Sequence, residues 1–250
     1  MSPREGSERG VGMRRRTAVA LIAGGTVAVG AATARSRFGT PGTERVLPDE
    51  DAVFTVFAPG GPQAFWCNGP GGWVMARLMP IIEAGVYRSV ADMLDLRSDD
   101  ELLDIGCGPG AFMAAKAQHV SRVVGLDASP LMLRAAERRL ADRIAAGTAE
   151  LVLGNAAKLP FGGTLFTAAT AINAPASASE VFRVLRPGGR FVTVDPQPAR
   201  TPTQNAAVSY GVRRMGEADH RRILEDAGFT DVDVRIDRAG LFAQGRKPTS

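Results

Sequence analysis

The decapeptide Glu101-Leu-Leu-Asp-Ile-Gly-Cys-Gly-Pro-Gly110 constrains this chain more than any other stretch. A short apolar run closing on an acid and followed at once by glycines at alternate positions predicts a buried parallel strand that leaves its sheet through a tight loop into a helix. Gly106, Gly108 and Gly110 form that loop. A backbone turning so sharply uses positive φ, and a ligand reaches the main chain only where no Cβ intervenes. The helix expected next, Ala111 to about His119, points its amide end at such a ligand.

The glycine spacing separates two ligand classes. A dinucleotide loop reads Gly-x-Gly-x-x-Gly and cradles a pyrophosphate, whereas this chain has Gly-x-Gly-x-Gly preceded by Asp104. Val123-Val124-Gly125-Leu126-Asp127 is a second apolar run ending in an acid, 17 residues after Gly110, where an α/β sheet places a ribose-binding carboxylate. Leu151 to Ala156 is a third strand-like run, followed by Leu159-Pro160-Phe161; Phe166 to Asn173 is a fourth, and Glu180 to Arg190 reads as a helix, a Pro-Gly-Gly turn and a strand start. In this order the motifs resemble the class I S-adenosylmethionine-dependent methyltransferases, over roughly Gly69 to Lys247. The resemblance implies a Rossmann-like, doubly wound α/β fold, with a mostly parallel seven-stranded sheet and an antiparallel last strand. It implies S-adenosyl-L-methionine as cofactor, held by Asp104, Gly106, Cys107, Gly108, Gly110, Asp127, Ala128, Asn155, Ala156 and Asn173. In that family the acid before the loop contacts the loop or the ligand's amino group, the second acid takes the ribose hydroxyls, and an acid at the position of Asn155 takes the adenine amino group. Asn155 and Thr167 stand here where acids are usual, and only five residues separate Asn173 from Ser179.

Composition narrows the partners. The 250 residues are 45% hydrophobic and 22% charged, enough for one full core plus an extension. The net charge of +4 is not spread along the chain: residues 1–45 hold eight arginines against three glutamates, leaving 22 bases and 23 acids for the rest. A near-neutral body without basic and aromatic interleaving argues against a nucleic-acid substrate. Cys67 and Cys107 give neither a disulfide framework nor a metal cluster.

Four segments are expected in chain order: a basic, disordered start at 1–16, an anchor-like or signal-like segment at 17–34, a linker at 35–68 and a methyltransferase domain at 69–250. Thr17 to Ala34 is free of charge, follows Arg14-Arg15-Arg16 and precedes Arg35. As a helix it would span about 27 Å, close to the roughly 30 Å of a bilayer core. Because the cofactor is cytoplasmic, the body is expected on the cytoplasmic side, membrane-associated through 17–34 or simply cytoplasmic. Trp73–Ile82 and Val86–Leu96 are expected as helices before the first strand, Pro130–Ala146 as one helix after the second, and Ala218–Ala227 as another. Phe191–Asp195 reads as the fifth strand, Pro196–Met215 as an insert, and 232–236 with 241–245 as a closing hairpin.

A sulfonium methyl is already activated, so a protein using it contributes alignment and exclusion of water more than covalent help. No catalytic residue is therefore legible. His119 and His220 read as structural, Tyr87 and Tyr210 lie where a pocket could be reached, and Asn173-Ala174-Pro175-Ala176 lacks the aromatic of the amino-methyltransferase motif. The activity expected is methyl transfer to a small, apolar acceptor on oxygen, carbon or nitrogen. Two alternatives stay open: a cofactor-binding protein of this fold with weakened catalysis, and a nicotinamide-dependent oxidoreductase.

Overall fold

The computed structural model describes residues 71–195 and 215–250. The expectations for 1–16, 17–34 and 35–68, for Cys67 and Tyr210, and for nearly all of the 196–215 insert lie outside them. Among the described residues, no helix is long and apolar enough to cross a membrane.

Two helices, α1 (Gly71–Ile82) and α2 (Ala84–Leu94), precede β1 (Glu101–Ile105). Then come α3 (Ala111–Lys116), β2 (Arg122–Asp127), α4 (Pro130–Arg139), α5 (Ala141–Ala145), β3 (Ala149–Leu153), β4 (Phe166–Ile172), α6 (Ala178–Val184) and β5 (Leu185–Asp195). The chain closes with α7 (Glu217–Asp226), β6 (Thr230–Ile236) and β7 (Leu241–Arg246). The seven strands lie in the order β3-β2-β1-β4-β5-β7-β6. β3 through β5 pair in parallel, while β7 runs antiparallel to both β5 and β6.

The parallel strands read as apolar runs because both faces are covered. Leu103, Ile105, Val124, Ala169 and Phe191 belong to one core cluster, while Leu102, Val123, Ala168, Val192 and Phe242 belong to a second. Phe166, Phe191 and Phe242 are fully buried, each worth about 1.5–3 kcal/mol of transfer free energy.

Several elements differ from the sequence expectation. α3 ends at Lys116 rather than His119, and His119 instead bonds the Leu96 carbonyl at 3.2 Å, at the amino edge of the sheet. The single helix expected over Pro130–Ala146 is two, divided at Leu140 (φ −106°, ψ 15°). Leu140 is buried, and its side chain packs beneath the glycine loop beside Gly110. β5 starts at Leu185, six residues early, with Gly188 at φ 77° absorbing the turn. Thr167 does not face the site at all: at the amino end of β4, its hydroxyl accepts from the Glu101 amide at 2.9 Å and donates to Asp100 at 2.6 Å. The acid missing at that position is therefore no mark of a weakened active site.

Candidate active site

The carboxyl edge of the parallel strands gathers the chemistry, as open α/β sheets do at their switch point. Immediately after β1, Gly106, Gly108 and Gly110 adopt φ values of 69°, 52° and 72°. The amides of Gly106 and Cys107 both donate to the Leu126 carbonyl, at 2.7 and 3.0 Å, and lash the loop to β2. The three glycines serve different ends. A Cβ on Gly106 would lie 2.1 Å from Ala174 Cβ, and one on Gly110 would lie 3.0 Å from Ala136 Cβ, so these two make room for protein. Among the described residues a Cβ on Gly108 would meet only Met79 Cε, at 3.7 Å, so of the three Gly108 is the position with space above its main chain. Cys107 points inward: its thiol is buried over Gly125, and burial pushes it well above its ordinary value.

Asp127 at the end of β2 ties the loop to the next turn. Its Oδ2 accepts from the Gly108 amide at 2.8 Å and its Oδ1 from the Ser129 amide at 2.7 Å. Burial raises its carboxyl, against the opposing pull of the Ser129, Gly108 and Ala128 amides. Each carboxylate oxygen keeps lone-pair capacity beyond one main-chain bond. Ala128 beside it is exposed.

Asp104, one residue before the end of β1, is 2% exposed, and among the described residues its Oδ2 has no hydrogen-bond partner. Burial above all, then the charges of Asp127 and Glu83, pushes its carboxyl well above the ordinary range. Asn173, at φ 51° just past β4, is anchored by its amide to the Val194 carbonyl at 2.9 Å, and Ala174 then folds back over Gly106. Its Nδ2 donates to Glu83 Oε1 at 2.9 Å, while Tyr87 donates its hydroxyl to Glu83 Oε2 at 2.7 Å. Burial and Glu83 hold the Tyr87 phenol protonated, so Tyr87 serves as a donor and not as a base.

Asn155 is exposed on the loop after β3, where its Oδ1 accepts from the Ala157 amide at 2.9 Å in a local turn. The Leu159-Pro160-Phe161 stretch is held by α6: the Leu159 amide donates to Glu180, and Arg183 donates to the carbonyls of Phe161 (2.7 Å) and Leu159 (3.1 Å). That network ties Glu180 and Arg183 on α6 to the Leu159-Pro160-Phe161 stretch.

Three features escaped sequence reasoning. Glu83 lies between α1 and α2 in no recognisable motif. Arg139 bridges α1 to the loop: Pro80 has no N–H to give the Ala76 carbonyl, and Arg139 donates to that carbonyl at 3.2 Å as well as to the Pro109 carbonyl. Asp195, ending β5, stands 3.0 Å from the Nε2 of His220, which is wholly buried and whose Nδ1 faces the Gly216 carbonyl at 3.0 Å. Burial works against the His220 imidazolium, but Asp195 and the Gly216 carbonyl outweigh it and raise the group. The contact is a charge pairing more than an aligned hydrogen bond, since among the described residues Nε2 meets no aligned acceptor.

Residues 102–189 match the methyltransferase domain family. Over that stretch the chain is a methyltransferase domain of the class I S-adenosylmethionine-dependent kind. A demethylmenaquinone methyltransferase of Symbiobacterium thermophilum is 34% identical over 119 residues, 44% of this chain, which spans only 47% of that relative's length. Geranyl diphosphate C-methyltransferase from Streptomyces coelicolor, solved with S-adenosyl-L-homocysteine, superposes with a TM-score of 0.54 at 17% identity over 66% of this chain and 79% of its own. The [4+2]-cyclase SpnF superposes with the same TM-score at 20% identity, over 66% of this chain and 81% of its own. At such identities the two structures speak for the fold. The cofactor of the methyltransferase family is S-adenosylmethionine, and the residues at this edge fit it: open main chain at Gly108, a carboxylate at Asp127, and a buried acceptor without a partner at Asp104.

Proposed function

We propose that the protein transfers a methyl group from S-adenosylmethionine to a small, apolar acceptor. The observation that carries this reading is the Asp127–Gly108 bond, which holds a carboxylate beside the loop glycine that, among the described residues, has space above its main chain. In this assignment Gly108 and Asp127 take the ribose, Ala128, Asn155 and Ala156 flank the adenine, and Asp104 with Asn173 faces the methionine end. Gly106, Cys107 and Gly110 shape the loop from beneath. When bound, the cofactor supplies an activated methyl group, and the chain's own part is to align the partners and keep water out.

An apolar acceptor is supported by α1, which lies against the loop through Met79 and Arg139 yet leaves Val74, Leu78, Ile81 and Ile82 exposed. Single exposed apolar side chains are ordinary, but four on one short helix beside a site mark a contact surface. The relative named for demethylmenaquinone agrees with such an acceptor. We assign residues 69–250 as the catalytic domain on the cytoplasmic side, with residues 17–34 associating it with the membrane; their charge-free run between arginines supports this. A phosphatase fused after Ser250 tests the placement: activity outside the cell membrane would overturn it.

A second reading, a cofactor binder without methyl transfer, is favoured by the short 173–177 connection, which packs Ala174 onto the loop and leaves little chain to wall an acceptor. Incubation with methyl-tritiated S-adenosylmethionine and a panel of quinols, phenols and prenyl alcohols separates the two. Label in the organic extract with matching S-adenosylhomocysteine supports the enzyme; cofactor binding with no label transferred supports the binder.

A further inference from the structure

We propose that Glu83 is a cofactor-binding residue, which with Asp104 and Asn173 forms a three-acceptor seat for the ammonium of the cofactor's amino-acid end. This rests on the methyltransferase reading. The seat is built from three distant parts of the chain: the α1–α2 junction, the end of β1 and the residue after β4.

Two donors fix Glu83, the Tyr87 hydroxyl at 2.7 Å on Oε2 and the Asn173 Nδ2 at 2.9 Å on Oε1. The Asn173 amide can face a carboxylate only with its nitrogen, so its oxygen is turned away, and that Oδ1 is buried without a partner among the described residues. Asp104 Oδ2 likewise has no partner among the described residues, and Asp104 lies close enough to Glu83 to feel its charge. Buried acceptors left unsatisfied are costly and mark a missing donor. The group that answers them has several N–H donors, no acceptor, and a positive charge to set against Glu83 and Asp104. An ammonium has three donors and no acceptor. A carboxylate in the same place would be repelled, so the seat also sets which end of the amino-acid moiety points inward. Arg139 does not compete for it, being committed to the Ala76 and Pro109 carbonyls. Position supports the same occupant: Glu83 is one helical turn past Met79, whose Cε overlies Gly108.

The test is calorimetry on the full chain with two ligands, S-adenosylhomocysteine and 5′-methylthioadenosine, which shares the nucleoside and thioether but lacks the amino-acid end. Glu83→Gln is expected to weaken S-adenosylhomocysteine at least about ten-fold, roughly 1.4 kcal/mol, and to leave 5′-methylthioadenosine within about two-fold. Glu83→Asp, which keeps the charge on a shorter stem, should give a smaller loss with the same ligand selectivity, and stands in if the Gln variant does not fold. Unchanged S-adenosylhomocysteine affinity, or equal loss for both ligands, would overturn the seat while leaving the cofactor site intact. Failure of the wild-type protein to bind either ligand would instead remove the underlying methyltransferase reading.

Discussion

The amide of Gly108 donates to Asp127 Oδ2 at 2.8 Å, so the residue with open main chain and the carboxylate beside it are one mechanical unit. Asp127 thus has two tasks, shaping the loop and meeting a ligand. Replacing it by Ala strands the Gly108 and Ser129 amides and removes a charged acceptor worth about 1.5–3 kcal/mol per bond. Asp127→Ala is expected to lose about 10- to 100-fold in S-adenosylhomocysteine affinity and also to melt earlier. Calorimetric titration and scanning of the same sample measure both.

The glycines should separate by what lies above them. Gly106→Ala adds a Cβ 2.1 Å from Ala174 Cβ to the αL penalty of about 1–2 kcal/mol. Gly108→Ala, meeting only Met79 Cε, carries the αL penalty alone. Urea unfolding should rank Gly106→Ala as the more damaging. Adding Ala174→Gly should recover part of that loss but none of the loss in Gly108→Ala.

Asp104 links stability to pH. Its folded pKa lies well above its ordinary value of 3.8, chiefly through burial. A group raised in this way favours the fold below its unfolded pKa, and that contribution is lost as pH rises through the folded value. Asp104→Asn, which cannot ionise, should therefore gain on wild type between pH 4 and pH 7 in ligand-free thermal melts, while binding S-adenosylhomocysteine less well. A stability difference that stays constant over that range would contradict this.

The Asp195–His220 pair joins the end of β5 to α7 with both groups buried. Breaking such a pair from one side leaves an uncompensated buried charge, at a cost of about 3–5 kcal/mol. His220→Leu and Asp195→Leu should each destabilise strongly, and the double variant should lose less than the sum of the two in denaturant titrations.

Much of the frame was legible in sequence because it rests on local signals. The apolar runs became β1 to β5, the Gly-x-Gly-x-Gly loop took positive φ at all three glycines, and Asp127 fell at the carboxyl edge where the run ending in an acid put it. Side chains that converge across the chain were not legible. Glu83 meets Asn173 across 90 residues, and nothing near either announces the contact. Arg139 sits in an arginine-rich stretch, and nothing in sequence shows that Pro80 leaves the Ala76 carbonyl for it. The place of Thr167 was not legible, because an apolar run fixes neither where the strand begins nor which edge a residue reaches. Two of the three glycines serve packing with Ala174 and Ala136, a distinction visible only once those neighbours are in place.

The most direct test of the central claim is calorimetric titration of the full chain with S-adenosylmethionine, beside Asp127→Ala and with NADH as the competing ligand. The account predicts one saturable site per chain for S-adenosylmethionine, weakened in Asp127→Ala, and no binding of NADH. Saturable NADH binding, or S-adenosylmethionine binding unchanged in Asp127→Ala, would contradict it.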